Sequence, residues 1–203
     1  MNIMFIGIAY SPFYTAGDKN FFVQLLTELI KKEKVNKIVV ISINDLGERV
    51  SVQQIGNYRI MIYNLKRSLH INYKKFFHDI NNNLYYRHHH GIFQETIERS
   101  LCILNNLNLI KFLVQKEQIN IIHFMDNFGP IMGFLKKLFP KIKLTYSPPF
   151  YNKRVFFYDL YLKYSFKDLD KIFPFTDSYK NILISLGIPE KKTNKNTMWH
   201  QII

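Results

Sequence analysis

Apolar runs of strand length alternate along this chain with longer stretches of helical periodicity. The strand-like runs cover 2–10, 37–43, 57–65, 119–124, 144–146 and 171–175. Between most of them, apolar residues recur every three or four positions, which is the spacing of one helix face. Because alternating strands and helices favour a parallel sheet, the pattern predicts an α/β, Rossmann-like sheet with helices on both faces.

Residues that are typical of helix ends help to locate the helical segments. The first is predicted to begin at Asp18, directly after a turn that contains Gly17. The others are expected over 93–118, 131–139 and 155–169, with a last one from Thr176 or Asp177 to just before Gly187. Residues 66–92 lack a sustained period and are predicted to be a functional loop. Without repeats or a Gly/Ser linker, 1–190 reads as one domain, followed by a tail at 191–203.

Composition limits the classes of binding partner and the cellular compartments that suit this chain. The chain has 203 residues and a formal net charge of +13, which favours anionic partners, although a plain solvated basic surface gives the same count. The single cysteine, Cys102, excludes an internal disulfide and is compatible with a reducing compartment. No apolar run reaches membrane-spanning length. We therefore predict a cytoplasmic protein, with peripheral attachment at the inner face of the membrane as an open alternative.

Two segments mix basic and aromatic residues. One runs through Lys74 and Arg87, and the other runs from Lys136 to Lys143. Such mixtures suit an anionic membrane surface, a lipid-linked acceptor or single-stranded nucleic acid. For the second segment, core aromatics beside surface lysines are an equally good interpretation. The triplet 88–90 of histidines has no carboxylate or cysteine nearby in sequence, so we predict no metal site.

Three residues are candidates for a functional site. Gly17 follows a strand and precedes a helix, so backbone N–H groups there could face a diphosphate. The alternative is a simple turn glycine, with Asp18 as the N-cap of the helix. Asp126 and His123 lie at the end of a predicted central strand, where open α/β sheets bind ligands. A carboxylate or imidazole there could hydrogen-bond a substrate hydroxyl or accept its proton. A histidine within an apolar strand is also commonly a core residue.

The order of these segments resembles the N-terminal domain of a GT-B glycosyltransferase, in the retaining family-four group. The likeness is carried by three stretches, NIMFIGIAYSPFYTAGDKNFFVQLLTELIKK, INIIHFMDNFGPIMGFLKKLF and LDKIFPFTDSYKNILISLGIPEKK. Together they cover nearly the whole chain. Two positions depart from the family pattern, since Met125 and Pro149 stand where it often has histidines.

The resemblance implies a function that the composition does not. It implies transfer of a sugar from a nucleotide-sugar donor to a glycan or lipid acceptor, with no cofactor beyond that donor. Gly17 would approach the donor phosphates, and Asp126, helped by His123, would orient the acceptor hydroxyl. The chain ends where the donor-binding domain of that family begins, so we expect a separate donor-domain partner and an inactive isolated chain. The rivals are a non-catalytic or truncated binding subunit and a basic nucleic-acid-binding module.

Overall fold

The strands of this protein form one seven-stranded sheet. The computed structural model describes residues 1–8, 26–31, 35–44, 50–55, 58–66, 96–126, 128–147, 163–174 and 176–193. The strands are β1 (Asn2–Ile8), β2 (Lys37–Asn44), β3 (Val50–Ile55), β4 (Tyr58–Lys66), β5 (Ile121–Phe124), β6 (Lys143–Tyr146) and β7 (Lys171–Ile172). Their spatial order is β3-β4-β2-β1-β5-β6-β7, and only the β3–β4 pair is antiparallel. The predicted α/β class with a mostly parallel sheet is confirmed.

Helices cover both faces of this sheet. They are α1 (26–31), α2 (96–105), α3 (Leu107–Lys116), α4 (Ile131–Leu138), α5 (163–166) and α6 (Asp177–Ser185), with a 3-10 turn at Glu190–Lys192. Helix α1 packs on one face, and the apolar residues of the later helices pack on the other. None of the helices in the described ranges has the length and apolar character to cross a bilayer.

The alternation of side chains along the strands separates two cores. In β1, Phe5 belongs to the core on the α1 face, whereas Met4 and Ile6 belong to the core under the later helices. The strand β4 alternates in the same way, with Ile62 on the first face and Tyr63 on the second. Residues of both cores are almost completely buried, as expected for parallel strands covered on each side.

Two elements differ from the sequence prediction. The strand β3 was not predicted, although Val50 and Val52 alternate and the dipeptide Gly-Asn separates it from β4. The helix predicted over 93–118 is interrupted at Asn106, whose backbone leaves helical geometry at φ −107° and ψ 17°. The Asn106 side chain donates a hydrogen bond to the carbonyl of Cys102 at 2.8 Å, which offers the backbone a local alternative to the helix.

The last helix, α6, begins and ends as its sequence predicts. The hydroxyl of Thr176 accepts a hydrogen bond from the N–H of Tyr179, so Thr176 rather than Asp177 is the N-cap. At the other end, Gly187 has φ +84°, and the N–H of Ile188 donates to the carbonyl of Leu183. These contacts form a Schellman motif, which requires a residue that tolerates positive φ.

A partly buried ion pair joins α4 to the start of β7. The Asp170 carboxylate accepts hydrogen bonds from Lys136 Nζ and from the backbone N–H of Leu144, each at 2.8 Å. Lys136 Nζ also donates to the carbonyl of Ile142 at 3.0 Å. One carboxylate therefore ties a helix to β6 and to the start of the edge strand β7.

We expect Asp170→Ala to lower the free energy of unfolding by about 1–3 kcal/mol, because it removes the acceptor of a backbone N–H and of a lysine together. Asp170→Asn is the matched control, since its amide oxygen can still accept from Leu144, and it should lose less. Urea unfolding followed by circular dichroism measures both variants. Equal stability of Asp170→Ala and the wild type would contradict this role.

Candidate functional site

The strand order reverses between β1 and β5, at the position where open α/β sheets form a ligand-binding crevice. When the β3 hairpin strand is set aside, the parallel strands follow each other outward from β1 in both directions. The chain first builds β2 and β4 on one side of β1 and then returns to place β5, β6 and β7 on the other. Ligands of open α/β sheets bind at such a reversal, beyond the carboxyl ends of the strands.

Asp126 lies at this reversal. The last register pair between the two strands is Ile6 with Phe124, and the N–H of Met125 extends the pairing by donating to the carbonyl of Ile6 at 2.9 Å. Asp126 follows directly and is partly exposed. The sheet therefore brings this carboxylate to the carboxyl end of β1 as well as of β5.

A glycine that the sequence analysis missed allows this approach. A Cβ built on Gly7 would lie 3.5 Å from Asp126 Oδ2 and 3.2 Å from the Cβ of Met125. The second distance is tighter than ordinary contact, so Gly7 gives the turn after β5 the space to lie against β1. The available signal was a glycine inside an apolar strand, which often marks close approach of another backbone. The predicted glycine, Gly17, lies outside the described residues.

His123 is located in the core below this crevice. It is fully buried, and its Nδ1 lies 2.7 Å from the hydroxyl oxygen of Thr145 on β6. Its ring packs edge-on against Phe5, with centroids 5.6 Å apart, and lies 6.2 Å from the ring of Phe173. These contacts agree with the alternative of a core histidine that the sequence left open.

Burial also determines the charge of His123. Desolvation lowers the pKa of this imidazole to about 3, so the ring is neutral at physiological pH. A neutral imidazole carries one donor and one acceptor nitrogen, and Nδ1 is engaged by Thr145. With no exposed surface, the His123 ring in this structure supports the end of β5, whereas Asp126, three residues later, is partly exposed.

The turn that leads from β5 into α4 is anchored by a side chain from α2. Ser100 Oγ lies 2.5 Å from the carbonyl of Phe128 and 2.8 Å from that of Thr96. Gly129 follows with φ +59°, and Pro130 is the N-cap of α4. This arrangement fixes where α4 begins relative to Asp126. The described residues contain no group of three or more potential metal-ligating side chains.

The low pKa of His123 predicts a specific pH dependence of stability. The pKa is about 3 when folded and about 6.5 when unfolded. Between these values the unfolded chain binds more protons, so this histidine makes the protein less stable as the pH falls below about 6.5. The effect approaches about 1.4 kcal/mol per pH unit, or about 2 kcal/mol at pH 5.

The variant His123→Gln retains a partner for Thr145 without this titration. Urea unfolding between pH 5 and pH 7 should show a steeper pH dependence for the wild type than for the variant. Identical slopes would mean that the imidazole is not buried as a neutral ring.

Comparison with known proteins gives a fold and no close relative. Neither a protein-family model nor a curated protein matches the chain. A sucrose-phosphate synthase from Thermosynechococcus elongatus is similar in structure, with a TM-score of 0.57 at 12% identity over 95% of this chain and 47% of that one. A lipopolysaccharide outer core galactosyltransferase gives 0.56 at 14% identity, over 96% of this chain and 44% of that one.

A UDP-GlcNAc 2-epimerase from Methanocaldococcus jannaschii gives a TM-score of 0.53 at 14% identity, over 96% of this chain and 45% of that one. This chain therefore spans somewhat less than half the length of these three enzymes. These enzymes include both sugar-transferring and epimerase types by name, so the shared fold does not determine one reaction. The strand order and the coverage together show that this chain has the α/β architecture of one half of a GT-B fold.

Proposed function

We propose that this chain is the acceptor-side domain of a glycosyltransferase that moves a sugar from a nucleotide-sugar donor to a glycan or lipid acceptor. The family-four type of retaining transferase is the subgroup that its sequence resembles. The observation that carries the proposal is the position of Asp126 at the reversal between β1 and β5. Sugar-transferring and sugar-modifying enzymes share the fold in which this position occurs.

The chemistry of Asp126 suits an acceptor hydroxyl. An ionised carboxylate only accepts hydrogen bonds, so it pairs with O–H groups of a sugar and can receive the proton of an attacking hydroxyl. The same charge repels a phosphate placed next to it. We therefore assign Asp126 to the acceptor and assign the donor diphosphate to the backbone around Gly17, as the resemblance implies.

His123 acts in this proposal through β5 and not on the substrate. Its contacts with Phe5 and Thr145 hold the strand end that carries Asp126. Donor binding requires a second domain of the kind found in the longer enzymes, supplied by further sequence or by a partner chain. We propose that the complete enzyme acts in the cytoplasm, with a nucleotide sugar as its donor substrate.

A second candidate is a non-catalytic binding subunit. It is favoured by Met125, a side chain without proton chemistry that stands directly before Asp126 where the resembled family often has a histidine. In the described part of the chain, the histidine of this strand is neutral and buried, so it does not replace the missing group. Such a subunit would bind a sugar through Asp126 without turnover.

We expect Asp126→Asn to lower sugar transfer by about 100-fold or more, because it removes a group that can accept the acceptor proton. The assay uses the intact chain isolated from its native cell together with the proteins that copurify with it. The KM for the nucleotide sugar should stay unchanged, since the donor contacts lie elsewhere.

Glu28→Gln is the matched control, because Glu28 is an exposed carboxylate on α1 that pairs with Lys31. It should retain full transfer. Unchanged transfer by Asp126→Asn would refute the role of Asp126. Absence of transfer in every preparation, with sugar binding that still depends on Asp126, would favour the binding subunit.

A further inference from the structure

Three helices on one face of the sheet end at the same edge. Apolar residues of α3, α4 and α5 pack in a single core against that face. The parallel strands β5, β6 and β7 follow these helices in the chain. Their last turns therefore lie near the amino ends of the strands, at the edge opposite Asp126.

Each of these helices carries an exposed aromatic side chain, and a lysine follows it three or four residues later. Phe112, Phe134 and Tyr164 are 53%, 44% and 61% exposed, respectively. The lysines are Lys116, Lys137 and Lys167, all of them exposed. We call these six side chains the aromatic–lysine surface. The spacing of three or four residues places each lysine beside its aromatic ring, toward the helix end.

Two of the three pairs are in direct contact. Lys116 Nζ lies 5.4 Å from the ring centroid of Phe112, and Lys167 Nζ lies 5.4 Å from that of Tyr164. These are cation–π distances, in which the ammonium sits over the ring face. The pairs therefore present a charge and an apolar ring together at one point of the surface.

The charge around this surface is mainly positive. The sequences of α3, α4 and α5 contain no aspartate or glutamate, and Lys141 and Lys143 add two exposed lysines at the same edge. Of the nearby carboxylates, Glu117 pairs with Lys37 at 2.6 Å and Asp170 pairs with Lys136 at 2.8 Å. Asp168 is directed toward Gly133, where two helices meet. Five exposed lysines thus stand together with little compensating negative charge.

We propose that the aromatic–lysine surface docks this protein on an anionic lipid bilayer. Lysines are attracted to anionic headgroups, and exposed aromatic rings bury their apolar part at the level of the headgroups. Side chains from a layer of neighbouring helices suit an extended flat partner. The proposal does not depend on sugar transfer.

Nucleic acid is the competing polyanion, and the contacts fit it less well. One face of the Phe112 and Tyr164 rings is already covered by an ammonium, which reduces the area for base stacking. The cations on the described part of this surface are lysines, whereas the planar, bidentate contacts that favour phosphate and base recognition come from arginine.

This surface overlaps only in part with the basic segments that the sequence suggested, since Lys137 belongs to both and Lys141 and Lys143 lie at the same edge. Lys136 belonged to the predicted basic segment but is turned inward to Asp170. Phe112 and Tyr164 were not singled out, and the segment through Lys74 and Arg87 lies outside the described residues. Docking through the opposite edge leaves the crevice at Asp126 open to substrates.

Cosedimentation with vesicles tests the proposal. The full chain is mixed with vesicles of phosphatidylcholine containing 30 mol% phosphatidylglycerol, or of phosphatidylcholine alone, at 0.15 M salt. We expect binding to the anionic vesicles only. The triple variant Lys116→Gln/Lys137→Gln/Lys167→Gln should bind about 100-fold more weakly. The triple variant Phe112→Ser/Phe134→Ser/Tyr164→Ser should also bind more weakly, and its binding should be more sensitive to salt.

The control removes the same number of charges elsewhere, as Lys31→Gln/Arg59→Gln/Lys180→Gln, and should bind like the wild type. All variants are compared with the wild type by thermal unfolding. A wild type that stays in the supernatant, or a control that loses as much binding as the lysine variant, would overturn the proposal. Tighter binding to a 20-nucleotide single strand, lost with the same three lysines, would overturn it in favour of nucleic acid.

Discussion

The parallel pairing of β1 with β5 is the contact on which the candidate site depends. These strands are far apart in sequence, and their register brings Ile6 level with Phe124. Two buried cores hold the pair from opposite faces, since Phe5 and Ile6 belong to different cores. Without this pairing, Asp126 would have no fixed position relative to the end of β1. The close contact that requires a glycine at position 7 would also be absent.

The sequence predicted the architecture well because the relevant signals are local. Apolar runs, a Thr176 cap and a glycine after α6 each identify an element without knowledge of its neighbours. The errors arose where a neighbour decides the outcome. Strand β3 has exposed valines and was recognisable mainly through its pairing with β4. The break at Asn106 depends on a side-chain hydrogen bond that periodicity does not show.

At the candidate site, too, local signals were predictive and contacts with neighbouring segments were not. The position of Asp126 followed from strand order, because the carboxyl ends of parallel strands share one edge. The environment of His123 did not follow, since its burial is set by Phe5 and Phe173, which come from different strands and segments. The role of Gly7 required the distance to Asp126. Gly17 and the predicted loop over 66–92 stay predictions, because Gly17 and all of the loop except Lys66, which ends β4, lie outside the described residues.

The central claim is that ligands enter the crevice between β1 and β5, and the methyl group of Met125 is a natural probe of it. Met125 is partly buried beside Asp126, whereas Met4 and Met132 are buried in the core under the helices. Methyl NMR of the methionine-labelled chain, titrated with acceptor glycans from the native cell, would report on the site and on the core. We expect the Met125 resonance to shift while those of Met4 and Met132 stay in place. Saturable binding, measured by calorimetry, with an unchanged Met125 resonance would contradict the account.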